Sequence, residues 1–330
     1  MARRRVYDSP PARLSDEPLA SLEDVTRPWP GTAADIGGVD IFVRSTPPMS
    51  DDAEPALFVH GLGGNSHNWT DFAGLLRKRL DIEAIDLPGF GRSGPPLDHD
   101  YSVRAHARLV INYLQRSGRG PVHLAGNSMG GAVAIVVASQ RPDLVRTLTL
   151  VSPAVPDVRV RVHPLRSDPR MALLVLPVVG SVALRRLRLL SDEARVRATI
   201  ALCFVDSSRY PDRRMAEAVI EAAARRELPW VDEAMLRSVR GLVRTQVSGG
   251  RWTWAAIRRI EAPTLVLWGA KDRLVAPDLA PIVAGAIPHA RLLVLPDIGH
   301  TAMMEDPITS ARAMLALLDD ARVHAAQPRG

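Results

Sequence analysis

The chain carries a single cysteine, Cys203, so no internal disulfide can form and no cysteine cluster is available for zinc. Lysine is almost missing, with Lys78 and Lys271 the only two among 42 basic residues. Long apolar runs are missing too. The longest, residues 171–184, is broken by Pro177 and Gly180 and falls short of the roughly 20 residues that span a bilayer. The basic start Met1-Ala2-Arg3-Arg4-Arg5 is followed by Val6, Tyr7, Asp8, Ser9 and two prolines rather than an apolar stretch, so it does not read as a signal peptide. These absences predict a soluble, cytoplasmic protein without a transmembrane segment.

What is present is an ordinary globular balance over 330 residues, 46% hydrophobic and 24% charged, which excludes wholesale disorder. The unusual quantity is the charge, +6 formally, with a sequence pI near 10.1. Basicity alone would point to nucleic acid or an anionic surface. No recognition motif accompanies it, so no nucleic-acid partner is expected. The excess is also local: residues 157–259 hold 20 arginines against 11 acids, which leaves the rest of the chain slightly acidic.

Residues 1–33 are polar and punctuated by proline, and read as an N-terminal extension. Beyond them, apolar runs of strand length alternate with helical patterns. Strands are expected at 39–44, 56–60, 82–87, 122–125 and 148–151, and helices at 72–80, 101–115 and 132–139. The alternation resumes in the last part of the chain, with strands at 264–268 and 291–295 and helices at 279–286 and 310–318. Such alternation indicates an α/β fold, a mostly parallel sheet covered by helices on both faces. Residues 157–259 break the pattern. Rich in alanine, leucine and arginine at helical spacing, they read as a helical cap inserted between core segments 34–156 and 260–330.

The chemistry centres on Gly126-Asn127-Ser128-Met129-Gly130-Gly131, which follows an expected strand and precedes an expected helix. That is the context of a nucleophile elbow, a sharp turn that lifts a serine hydroxyl above the edge of a sheet. Serine attacks only when a base takes its proton. Among nine histidines, His300 in Asp297-Ile298-Gly299-His300 follows the last strand, at the same sheet edge as Ser128. The imidazole needs a carboxylate to orient it, and Asp272 follows the preceding strand at that edge. Asp157, just past the strand at 148–151, is the alternative acid, and Asp297 a weaker one. The loop His60-Gly61-Leu62-Gly63-Gly64 can turn the Leu62 N–H toward the site, where it joins the Met129 N–H as a pair of oxyanion donors. His60 is expected to buttress that loop, His123 to be a packed strand residue, and the Asp86–Ser93 loop to be a structural turn. No spacing of histidines and acids resembles a metal site, and no cofactor is expected.

Together, the His60–Gly64 loop, the Asp86–Ser93 loop, the elbow, the Trp268–Asp272 segment and Gly299-His300 resemble the α/β-hydrolase fold superfamily over about residues 35–320. The resemblance implies an eight-stranded type of sheet, a triad of Ser128, Asp272 and His300, and a helical lid at 157–259. Ser128 sets the chain apart from haloalkane dehalogenases and epoxide hydrolases, which carry an aspartate nucleophile. The elbow is similar to that of hydrolases that cleave carbon–carbon bonds in meta-cleavage dienoates. Those enzymes usually show a Gly-Pro-Gly-Ala type of oxyanion loop and a tryptophan soon after the histidine, where this chain has Leu62-Gly63-Gly64-Asn65 and Thr301-Ala302-Met303-Met304. A lipase- or esterase-like carboxylester hydrolase is therefore the expected activity, with the carbon–carbon hydrolase and a non-catalytic ligand-binding protein as alternatives. The apolar run at 171–184 suggests a preference for medium-chain acyl esters, and the following Arg185-Arg186-Leu187-Arg188 would suit contact with anionic lipid. Oligomeric state is left open.

Overall fold

The computed structural model describes residues 9–23, 25, 28–157, 189–247 and 250–326. Its centre is an eight-stranded sheet: β1 (Gly31–Asp35), β2 (Asp40–Thr46), β3 (Glu54–Val59), β4 (Leu80–Ile85), β5 (Val122–Asn127), β6 (Val145–Val151), β7 (Thr264–Gly269) and β8 (Ala290–Leu295). The spatial order is β1-β2-β4-β3-β5-β6-β7-β8. β1 and β2 run antiparallel at one end, and all pairings from β4 to β8 are parallel. The fold is thus the mostly parallel, helix-covered α/β arrangement expected from the sequence. β1 was not expected as a strand. Gly31-Thr-Ala-Ala-Asp has no apolar alternation, and as a half-exposed edge strand it needs none, because pairing with β2 supplies its hydrogen bonds.

Strands β3, β5 and β7 are buried on both faces, and alternate residues feed two cores. Leu57, Val59, Leu124, Leu148, Leu150 and Val266 face one side. There they meet α2 (Val103–Ser117), α3 (Met129–Gln140) and α8 (Ala280–Ala286). Ala56, Phe58, Ala125, Val151, Leu265 and Leu267 face the other. They meet α1 (Thr70–Leu76), α9 (Ala302–Glu305) and α10 (Pro307–Ala326), around a cluster of Phe58, Trp69 and Phe72 rings 5.0–5.7 Å apart. Local signals fix the helix ends. α2 begins where the Ser102 hydroxyl accepts the Ala105 N–H and ends at Gly118 in the left-handed region. α3 is apolar all round and buried from Met129 to Ala138.

Between β6 and β7 the described residues form α4 (Asp192–Cys203), α5 (Asp212–Arg226), α6 (Val231–Val247) and α7 (Arg251–Ile257), with no strand. α7 belongs to the first core, into which it sends Trp254 and Ile257. Residues 171–184 and 185–188, singled out from the sequence, lie outside the described residues. No helix among the described residues is long and apolar enough to cross a membrane.

The insertion is fastened by arginines that point inward. Arg214 of α5, with only 5% of its side chain exposed, donates to Asp71 of α1 at 2.7 and 3.1 Å, to Glu217 at 2.8 Å, and to the Val25 carbonyl at 3.0 Å. One side chain thus ties the insertion, the core and the N-terminal extension. The extension is itself laid along the core. Ala12 N–H donates to Leu292 O on β8, Ser15 N–H to Arg312 O and Ala20 N–H to Leu75 O. Removing one member of a buried pair leaves the other charge unpaired. Arg214→Ala is expected to lower the unfolding free energy by about 3 kcal/mol in urea titration; a loss below about 1 kcal/mol would contradict this fastening role.

Candidate active site

The sheet topology places the site. From β3 the chain crosses to β4 on one side, then returns to β5 on the other side of β3. Loops leaving the C-terminal ends of β3 and β5 therefore diverge, and this is where open α/β sheets form their crevices. The β3 loop carries Gly61 to Gly64, and β5 ends in Asn127, with Ser128 next at the start of α3.

Ser128 takes φ 54° and ψ −116°, a conformation that residues with side chains rarely adopt. The surroundings hold it there. Its N–H donates to Val151 O at 3.0 Å, and its carbonyl accepts from both Ala132 and Ala154. The turn is also too crowded for a side chain at position 130, where a Cβ would overlap the carbonyl oxygens of Val59 and His60. Gly130 thus lets the elbow press against the end of β3. Ser128 Oγ makes no hydrogen bond among the described residues.

His300 stands between β8 and α9. Its Nδ1 lies 2.8 Å from Asp272 Oδ2, and both side chains are almost completely buried. The other Asp272 oxygen accepts the backbone N–H groups of Leu274 and Val275 at 2.8 and 3.0 Å. A carboxylate only accepts, so Nδ1 carries the proton of this bond, and in the neutral imidazole the lone pair is then on Nε2. The carboxylate at His300 is that of Asp272. Asp157 instead donates its N–H to the Gln246 side chain at 3.3 Å, and Asp297 pairs with Lys271 at the surface. The main chain of His300 is held at both ends, its N–H donating to Cys203 O at 2.7 Å and its carbonyl accepting from Asn127 Nδ2 at 3.2 Å. Asn127 also donates to Val151 O, so this amide joins the elbow to the histidine loop. The sequence motif contains Asn127, but its type alone did not reveal that role.

The N–H groups of Leu62 and Met129 donate to no acceptor among the described residues; Met129, as the first residue of α3, has none within its helix. Their loops are braced from behind. Leu87 N–H donates to His60 Nε2 at 2.9 Å, which puts the ring proton on Nδ1, facing Gly61 O at 2.7 Å. His60 thereby fastens the β3 loop to the β4 loop, the buttress expected from sequence. The β4 loop is organised by buried Asp86, which accepts from Ser66 and Arg92 N–H; burial pushes its carboxyl above the usual range. Arg92 in turn grips Glu221 of α5 through two bonds of 3.0–3.1 Å. Arg225 of α5 donates to Gly63 O at 2.9 Å. Neither Arg225 nor Glu221 carried a signal in the sequence. Among the described residues no group of histidines, cysteines and acids is arranged to hold a metal.

Comparison with known proteins bears on these features. The model of the alpha/beta hydrolase fold family matches residues 55–307. Monoacylglycerol lipase abhd6-B of Xenopus laevis is 28% identical over 79% of this chain and 74% of its own length. A putative carbamate hydrolase, RutD, of Pseudomonas savastanoi pv. phaseolicola is 29% identical over 81% of this chain and 95% of its own. Among solved structures, wild-type Cfl2 from Burkholderia cenocepacia superposes with TM-score 0.73 at 18% identity, covering 92% of this chain and 98% of its own. That last likeness shows the fold.

The bracing layer titrates in a defined direction. Burial lowers His60 to about 3 and His106, whose ring packs against Phe90 and Tyr101, to about 4. Neither ring nitrogen of His106 has a hydrogen-bond partner among the described residues. Between these values and the ordinary 6.5, the unfolded chain binds protons that the folded one does not, so stability rises with pH across that window and is lost on acidification. In His106→Phe, the slope of unfolding free energy against pH between 4 and 6.5 should fall by about 1 kcal/mol per pH unit. Superimposable slopes for wild type and variant in denaturant titrations would contradict this.

Proposed function

The chain belongs to the α/β-hydrolase fold family, and from that premise we propose that it is a serine hydrolase that cleaves carboxylic esters through an acyl-enzyme. The observation that carries the reading is the buried His300–Asp272 bond beside the strained turn of Ser128, which leaves His300 Nε2 with its lone pair. In the proposed reaction Nε2 takes the proton of Ser128 Oγ as Oγ attacks the ester carbonyl carbon. The oxyanion that forms lies at the N–H groups of Leu62 and Met129. Collapse breaks the bond to the alcohol oxygen, which leaves with the proton from Nε2. Water then loses a proton to the same nitrogen and attacks the acyl carbon, and Ser128 recovers its hydrogen.

The reading extends to apolar, medium-chain acyl groups. Its support is the apolar composition of residues 171–184 within the proposed lid and the lipase name of the Xenopus relative. Contact of the lid with anionic lipid rests on the sequence of residues 185–188 alone.

Three measurements test this. Ser128→Ala should lose both ester turnover and labelling by a fluorophosphonate; labelling at the wild-type rate would remove Ser128 from its role. Asp272→Asn should lower kcat by roughly 10⁴-fold, the scale for a misoriented triad histidine, and Asp157→Asn should cost far less. In a series of p-nitrophenyl esters kcat/KM should rise from acetate to medium chains, and a flat series would refute the acyl preference.

A further inference from the structure

Of the loops that carry the groups assigned above, the insertion reaches the backbone of two. At the oxyanion loop it does so through Arg225 and Gly63 O. At the histidine loop the connection is denser. Glu305, 4% exposed at the end of α9, presents one carboxylate oxygen to each side. Its Oε2 accepts the Gly299 N–H at 2.7 Å. Its Oε1 accepts the N–H groups of Val205 and Asp206, just past α4, at 2.8 and 3.0 Å. Beside this carboxylate the Cys203 carbonyl takes the His300 N–H, and Arg273, next to Asp272, donates to Phe204 O at 2.8 Å. The approach is so close that a Cβ on Gly299 would overlap the Cys203 carbonyl oxygen.

A buried carboxylate that accepts three backbone N–H groups is strongly held, since hydrogen bonds to a charged acceptor are about twice as strong as neutral ones. Two of these donors belong to the insertion and the third to the residue before His300. The backbone on which the imidazole hangs is therefore set jointly by the insertion and the core. We propose that Glu305 is a positioning residue for His300, locking the turn at residues 203–206 of the insertion onto the histidine loop so that proton transfer requires this end of the insertion to be docked. It follows that the insertion does not swing as one body. The turn after α4 stays on the histidine loop through the catalytic cycle, and α5 stays on the oxyanion loop. Glu305 touches no reacting atom; it acts through the height and tilt of the imidazole.

The inference rests on the acyl-transfer reading for its kinetic consequence, and the test keeps the two apart. Glu305→Gln retains the shape but puts an N–H₂ group against backbone donors, so one arm of the clamp must open. Because a displacement of about 1 Å in a catalytic group can cost a hundredfold in rate, kcat should fall by about that factor. KM should stay within about twofold, and fluorophosphonate labelling of Ser128 should slow in step with kcat. A folded Glu305→Gln variant with kcat within about twofold of wild type would overturn the proposal, as would a loss confined to KM. Should the variant fail to fold, hydrogen exchange on the wild-type protein decides. The amides of Val205, Asp206, Gly299 and His300 should exchange together as one slow group. Fast exchange at Val205 and Asp206 with protection only at Gly299 and His300 would overturn the clamp. If wild type neither turns over esters nor takes up the fluorophosphonate, the acyl-transfer reading fails, while the exchange measurement still tests the docking.

Discussion

Ser128 sits at φ 54° and ψ −116°, and the site is arranged around that conformation. A residue with a side chain held there stores about 1–3 kcal/mol, which the surroundings must over-determine. They do so with three backbone hydrogen bonds to Ser128 and with a glycine at 130 that lets β3 and the elbow touch. One consequence is geometric: the turn ends β5 and starts α3 within a single residue, so the side chain projects from the edge of the sheet and the next N–H, that of Met129, has no helical acceptor. Another is topological. The elbow can press on β3 only because β3 and β5 are neighbours at the reversal of strand order, which also brings the Leu62 loop alongside.

The histidine reaches this turn from the far end of the chain, and its position depends on several weak restraints acting together. Asp272 fixes the ring, Asn127 fixes the carbonyl, and the Cys203 carbonyl fixes the N–H. These partners come from three parts of the sequence, one of them the insertion. The insertion is thereby bonded directly to the histidine loop. Its arginines follow the same logic: Arg214, Arg225 and Arg226 bond to Asp71, to the Gly63 carbonyl and to Asp192. Most of the excess positive charge along residues 157–259 belongs to residues 158–188, outside the described residues, while Arg213 and Arg214 pair with Asp71 of the core.

The limits of the sequence reading have physical causes. Strands buried on both faces, such as Leu265-Val266-Leu267-Trp268, are apolar throughout and stand out from helices. The elbow is legible because its chemistry needs glycine and serine at fixed positions. β1 was hidden because an edge strand with one bonded neighbour is free of the apolar pattern. The expected cap ends at 259, beyond α7, yet Trp254 and Ile257 of α7 pack into the first core, since helical spacing does not tell which body a helix packs on. Arginine and glutamate look alike in sequence whether they face solvent or a backbone carbonyl, so Arg225 and Glu305 emerged only from their hydrogen bonds.

The most direct measurement is a crystal structure of the protein after reaction with an alkyl phosphonate ester. The account predicts phosphorus bonded to Ser128 Oγ and a phosphoryl oxygen about 2.7–3.1 Å from the N–H groups of both Leu62 and Met129, with His300 Nε2 facing the ester oxygen. An adduct on another residue, or a phosphoryl oxygen turned away from both donors, would contradict it.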